Sequence, residues 1–243
     1  MGREVYPTHI ARMFRDGDIV EFHLVAKGRD GGPGDFYIMK DKVSIRLYRK
    51  FAEARPLQTE ADLKAGADVR LPMMGMTAQE AYDYAQWLGG IVPQDSSSTA
   101  KASYGGPIRV DLPTSNQWDK AAGLFDRAGR EGPYLKTWAG LPGEIAIART
   151  GPMPVGTATH DKSWCECRDM AGNGFEWTRS AVTGEPIPFP LPPGASRSIE
   201  LRGQPYDSEQ PLRFVDLELK NFGSRICDDR KPGVSFRVVL DIL

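Results

Sequence analysis

A proline-rich stretch restricts the fold of this chain more than any other feature. Residues 183–198 (TGEPIPFPLPPGASRS) contain five prolines. Proline lacks a backbone donor and is excluded from helix interiors and central strands. Glycine (26) and proline (19) together make up 45 of the 243 residues. That is about 19%, against an average usage of roughly 12%, so the sequence predicts a loop-rich fold with few long helices.

The charge balance argues against several classes of partner. Lys and Arg number 31 and Asp and Glu number 32, which gives a net charge of -1. Such a balance provides no general attraction to nucleic acid or to anionic membranes, so we expect no nucleic-acid partner. No apolar run approaches the roughly 18 residues of a membrane span, and the N-terminus lacks the apolar core of a signal peptide. A cytoplasmic location is the default expectation, or an exported one if the chain is excised from a membrane-anchored protein.

Three helix starts follow from local capping signals. Ser44 precedes a run with apolar residues at helical spacing and is a good N-cap. Residues 77–80 (TAQE) and 114–117 (TSNQ) each form a capping box, in which the first hydroxyl and the last side chain satisfy backbone donors reciprocally. The sequence therefore predicts about three short helices, beginning after Ser44, Thr77 and Thr114.

Strand candidates lie around these helices. Alternating apolar and polar residues, or a short apolar run, predict strands over residues 19–26, 36–38, 199–202 and 235–242, of which the last is the strongest. No repeat of fixed period and no clear linker interrupts the chain. A single domain over residues 1–243 is expected, with residues 1–35 as an N-terminal extension or a first hairpin and residues 36–242 as its core.

Five segments in a fixed order resemble the formylglycine-generating-enzyme-like (sulfatase-modifying factor) domain. They are residues 36–44 (FYIMKDKVS), 72–77 (PMMGMT), 112–118 (LPTSNQW), 169–178 (DMAGNGFEWT) and 236–239 (FRVV). The segment at 169–178 is the most specific of them. The resemblance implies an α+β fold, a loop-rich variant of the C-type lectin fold, with small twisted antiparallel sheets.

The segment at 169–176 also has the composition of a cation site. Two carboxylates flank glycines in the pattern D-x-x-G-x-G-x-E, and hard oxygen ligands of this kind suit Ca²⁺. The resemblance implies one structural calcium site, with the side chains of Asp169 and Glu176 and the carbonyls of Gly172 and Gly174 as ligands. The alternative is a tight turn in which Asp169 and Glu176 cap nearby backbone.

The copper chemistry of the true formylglycine-generating enzymes requires two cysteines spaced C-x4-C, because soft thiolates favour Cu(I). Cys227 aligns with the second cysteine, but Phe222 stands in place of the first. No copper is therefore expected. Cys165 and Cys167 form a C-x-C pair that could bind a soft metal with His160, although buried free thiols are the simpler interpretation. Iron-dependent family members use three histidines on a separate helical domain, and the three histidines here are scattered.

These observations favour a non-catalytic binding module for a peptide or small ligand, such as the sensory or interaction domain of a larger bacterial signalling protein, for example a Ser/Thr kinase. The expected ligand-binding residues are Trp177, Asn221, Phe222, Arg225 and Asp228, with core packing as the alternative for Trp177. No catalytic residue is assigned. The alternative function is a copper-dependent formylglycine-generating oxidase with a remodelled active site, and a diversified lectin-like receptor ranks third.

Overall fold

The capping signals place the helices as expected. The computed structural model describes residues 6–27, 32–55, 67–91, 108–135, 137–219 and 223–242. Helices α1 (Ile45–Ala54), α2 (Ala78–Ile91) and α3 (Ser115–Ala122) begin directly after the three predicted caps. The Ser44 hydroxyl accepts the amide of Leu47, and Thr114 and Gln117 satisfy each other's backbone donors. A fourth helix, α4 (Phe214–Glu218), has five residues and no sequence signal was identified for it.

Nine short strands complete the described elements. They are β1 (His9–Met13), β2 (Ile19–Val25), β3 (Phe36–Met39), β4 (Ile108–Asp111), β5 (Gly174–Ala181), β6 (Ser198–Gln204), β7 (Ser224–Ile226), β8 (Val234–Ser235) and β9 (Val239–Ile242). The proline-rich residues 183–197 contain no helix and no strand, as the sequence predicts. None of the helices in the described part of the chain is long and apolar enough to cross a membrane.

The strands form two sheets. A five-stranded antiparallel sheet has the order β1-β2-β3-β9-β4, and a four-stranded sheet has the order β7-β6-β5-β8. In the second sheet β8 runs parallel to β5, so this sheet is mixed. In the N-terminal region, β1 and β2 form a hairpin whose second strand pairs with β3. The predicted α+β architecture is confirmed.

The five-stranded sheet lies between two hydrophobic cores. All four residues of β3 are buried. Tyr37 and Met39 pack into one core with helices α1 and α2, whereas Phe36 and Ile38 pack into the other core with α3. Because successive side chains of a strand point to opposite faces, this pattern shows that β3 is covered on both sides.

The strand predicted over residues 235–242 is divided in two. Residues 236–238 lie between β8, in the four-stranded sheet, and β9, in the five-stranded sheet. Two of their carbonyls accept backbone amides from the end of β3 and the segment after it: Met39 donates to Val238 and Val43 donates to Phe236. The prediction of one continuous strand is wrong because the apolar pattern persists while the chain passes from one sheet to the other. This crossing brings Arg237 between the sheets.

Candidate functional site

A fully buried ion pair joins the crossing segment to β5. Glu176 on β5 accepts from Arg237 Nε at 2.6 Å and from Nη2 at 2.8 Å. The remaining guanidinium hydrogens go to the carbonyls of Met39, Lys40 and Arg168. Burial alone raises the pKa of Glu176, but the positive charge of Arg237 and that of Lys42 outweigh this effect and lower the pKa below its ordinary value. Glu176 is therefore held as a carboxylate in the interior.

Three of the four predicted calcium ligands, those of Gly172, Gly174 and Glu176, surround the ammonium of Lys42. Lys42 Nζ donates to the carbonyls of Gly172 at 3.1 Å and Asn173 at 3.2 Å, and also to that of Gly174. Its distance to Glu176 Oε1 is 3.6 Å. A calcium ion needs six to eight oxygens at about 2.3–2.6 Å, and it cannot share these oxygens with an ammonium group. The arrangement fits the lysine, and calcium here stays a prediction.

Asp169, the remaining predicted calcium ligand, binds the protein instead. Its Oδ2 accepts the amide of Gly156 at 2.7 Å and the side-chain amide of Asn173 at 3.2 Å. Its Oδ1 and the Oδ2 of the neighbouring buried Asp161 accept no hydrogen bond within the described residues. Burial and the charge of Asp169 raise the pKa of Asp161 to about 7. Asp169 thus combines the capping role with one unsatisfied oxygen.

The residues predicted to line a ligand cleft do not form one surface. Trp177 is fully buried in the core and donates its indole N–H to the carbonyl of Met76 at 3.0 Å. Asn221 and Phe222 lie outside the described residues. Arg225 is half-buried and donates to the carbonyl of Ser224 at 2.8 Å, and Asp228 is exposed. Of the described members, Arg225 and Asp228 lie near the surface and Trp177 does not.

The three cysteines divide into a pair and a single residue. Cys165 Sγ and Cys167 Sγ lie 3.5 Å apart in the core that contains α3, and Glu166 between them has a positive φ of 71°. Cys227 is buried in the other core, where its thiol donates to the carbonyl of Ala195 at 3.1 Å. The sequence drew attention to the C-x-C pattern, but sequence spacing alone could not show that the two sulfurs are in contact.

The pKa values of the two paired thiols are shifted in opposite directions. A hydrogen bond from the Cys167 thiol lowers the pKa of Cys165, with a further contribution from Ser163. Burial raises the pKa of Cys167 well above its ordinary value. Cys165 is consequently the thiol of the pair that loses its proton first, and the thiolate is the form that binds soft metals.

The histidines do not converge on one point. His9 and His23 face each other across β1 and β2 with ring centroids 6.2 Å apart, and His160 Nδ1 lies 2.9 Å from Glu144 Oε1. The sequence left open an association of His160 with Cys165 and Cys167, and the structure shows His160 in contact with Glu144 instead. In the part of the chain that the structure describes, no three or more His, Cys, Asp or Glu side chains are arranged to hold a metal ion.

Comparison with known proteins establishes the family. Residues 33–242 match the model of the sulfatase-modifying factor enzyme 1-like domain, and the chain belongs to this family. A stretch of 116 residues, 46% of this chain, is 28% identical to hercynine oxygenase of Mycolicibacterium thermoresistibile. The match spans 21% of that protein, so the chain covers about a fifth of the length of this relative.

Two solved structures share the fold. PvdO from Pseudomonas aeruginosa superposes with a TM-score of 0.59 at 16% identity, covering 96% of this chain and 98% of that one. CarF superposes with a TM-score of 0.58 at 17% identity, covering 87% of this chain and 88% of that one. At these identities the likeness shows the fold.

The comparisons correct the functional expectation. The prediction of a non-catalytic binding module is wrong, because the family model is described for an enzyme and the matched relative is named as an oxygenase. These findings favour the alternative drawn from the sequence, an oxidase with a remodelled active site.

Proposed function

We propose that this chain is a copper-dependent oxidase of the formylglycine-generating-enzyme-like family, in which Cys165 and Cys167 replace the usual cysteine pair. The observation that carries the proposal is the 3.5 Å contact between the two sulfurs. Among the described residues it places two soft donors side by side, whereas Cys227 lies in the other core. Family membership and the oxygenase relative support the reaction class.

The pair of thiols suits a soft cation. Two thiolates favour Cu(I), and Cys165 and Cys167, whose sulfurs lie 3.5 Å apart, would hold it. Copper bound there would supply one-electron chemistry with dioxygen.

Cys165 follows a partly exposed tryptophan, Trp164, in the chain. Cys165 is 6% exposed, and the neighbouring Trp164 ring is 39% exposed. The indole N–H of Trp164 donates to the carbonyl of Lys120 at 2.8 Å, which fixes the ring at the surface above α3. A peptide or a small thiol would approach Cys165 along this ring. Cys165, which has the lower proton affinity of the two, is the residue placed to meet it.

The reaction must balance its electrons with an external reductant. Conversion of a peptidyl cysteine into an aldehyde removes two electrons and releases the sulfur as hydrogen sulfide. Dioxygen accepts four electrons, with one oxygen atom entering the aldehyde and the other leaving as water. The two further electrons come from two molecules of an external thiol, which leave as a disulfide.

Titration with Cu(I) under anaerobic conditions tests this assignment. We expect the reduced protein to bind one Cu(I) in competition with a chelator, and Cys165→Ser or Cys167→Ser to weaken binding by on the order of 100-fold or more, since loss of even a supporting group costs metal sites about 10–100-fold. Cys227→Ser is the matched control and should bind like the wild type. Absence of binding by the wild type, or loss of binding in Cys227→Ser alone, would refute the proposal.

A further inference from the structure

We propose that the ammonium of Lys42 is the resident cation of residues 169–176, and that shortening this side chain uncovers a latent binding site for a divalent cation such as Ca²⁺. The family resemblance implies a cation at residues 169–176, and the ammonium of Lys42 lies against the same oxygens. It is independent of the proposed oxidase chemistry, which rests on Cys165 and Cys167.

The loop presents its carbonyls to a single point. Asn173 and Gly174 adopt positive φ angles of 60° and 97°, and the carbonyls of residues 172, 173 and 174 all accept from Lys42 Nζ. A lysine ammonium has three hydrogens to donate, so this set of acceptors matches it. Since converging carbonyl dipoles repel one another and buried carbonyls need a partner, the loop requires a positive group at this position.

The charges around the loop also require a cation. Five fully buried ionisable side chains lie here: Lys42, Arg237, Asp161, Asp169 and Glu176. Arg237 takes both oxygens of Glu176. Without Lys42, three acidic side chains would face one guanidinium in the interior, and removing one partner of a buried ion pair is strongly destabilising. Lys42 therefore supplies the second of the two buried positive charges beside these three acidic side chains.

A surface cleft lies next to Lys42. Residues Asp41, Lys42, Ser44 and Val155 line it in part, and the Lys42 side chain itself is fully buried. Replacing lysine by alanine removes the ammonium and leaves the three carbonyls and the Glu176 carboxylate as oxygen ligands, the type that Ca²⁺ prefers. The loop that now binds a side chain would then bind an ion from solution.

Thermal unfolding with and without calcium tests the inference. The Tm of the wild type should not change with EDTA or with millimolar Ca²⁺. Lys42→Ala should lower the Tm by roughly 10 °C, and Ca²⁺ should restore several degrees, because a ligand that binds the folded state stabilises it. Lys42→Met removes the charge but fills the space, so it should be destabilised and should not respond to Ca²⁺.

A control variant and the wild-type protein complete this test. Lys40→Ala, at a partly exposed lysine paired with Glu21, should shift the Tm by about 2 °C or less and should ignore Ca²⁺. A wild-type protein that loses stability in EDTA and regains it with Ca²⁺ would overturn the proposal, and this arm needs no variant. A Lys42→Ala protein that is as stable as the wild type, or that Ca²⁺ leaves unstable, would also overturn it.

Discussion

Arg237→Met is expected to lower the free energy of unfolding by about 3–5 kcal/mol. Arg237 is fully buried, and its guanidinium donates to Glu176 and to three backbone carbonyls. Methionine fills most of the space but leaves the carboxylate short of a partner and the carbonyls without donors. Urea unfolding of the purified protein, followed by circular dichroism, measures the loss.

Arg213→Met is the matched control for this prediction. Arg213 also pairs with a carboxylate, that of Asp216, but half of its side chain is exposed. An exposed ion pair contributes about 1 kcal/mol or less, so the control should unfold almost like the wild type. Equal losses in both variants would show that burial of the Arg237–Glu176 pair does not govern its energy.

Trp177→Ala is expected to cost about 3–5 kcal/mol of stability, the range for deletion of a large aromatic side chain from a core. The indole is fully buried and its N–H is bonded to the carbonyl of Met76. Both the cavity and the unsatisfied carbonyl oppose folding in the variant. Chemical denaturation measures the change, as for Arg237.

Trp164→Ala provides the comparison, because this indole is 39% exposed. It should lose less than half as much stability as Trp177→Ala. The opposite outcome is a Trp177→Ala protein that has normal stability but fails to bind a peptide. It would contradict the structure and would support the ligand-binding role predicted for Trp177 from the sequence.

Local signals carried the predictions that succeeded. The caps at Ser44, Thr77 and Thr114 depend on residues three positions apart, so the sequence alone located the starts of α1, α2 and α3. The proline-rich stretch likewise acts locally, because each proline restricts its own backbone. The five-residue α4 is too short for apolar periodicity to reveal it.

The charged interior could not be deduced in the same way. Lys42 is separated from Gly172 by 130 residues along the chain, and no local pattern connects them. The pattern at 169–176 predicted a calcium ion, which stays a prediction. It could not show that a side chain from a distant segment, Lys42, contacts three carbonyls of this stretch. The contact between Cys165 and Cys167 was partly predictable, because the C-x-C spacing is visible in the sequence. The turn at Glu166, which brings the two sulfurs together, is not visible there.

Oxidation of a cysteine-containing peptide tests the proposed function most directly. The copper-loaded protein is incubated with the peptide, dioxygen and an external thiol, and the peptide aldehyde is measured by mass spectrometry. Aldehyde should form with the wild type and with Cys227→Ser, and should be absent with Cys165→Ser. Failure of the copper-loaded wild type to form aldehyde, or an unchanged rate with Cys165→Ser, would contradict the assignment of the reaction to this pair of thiols.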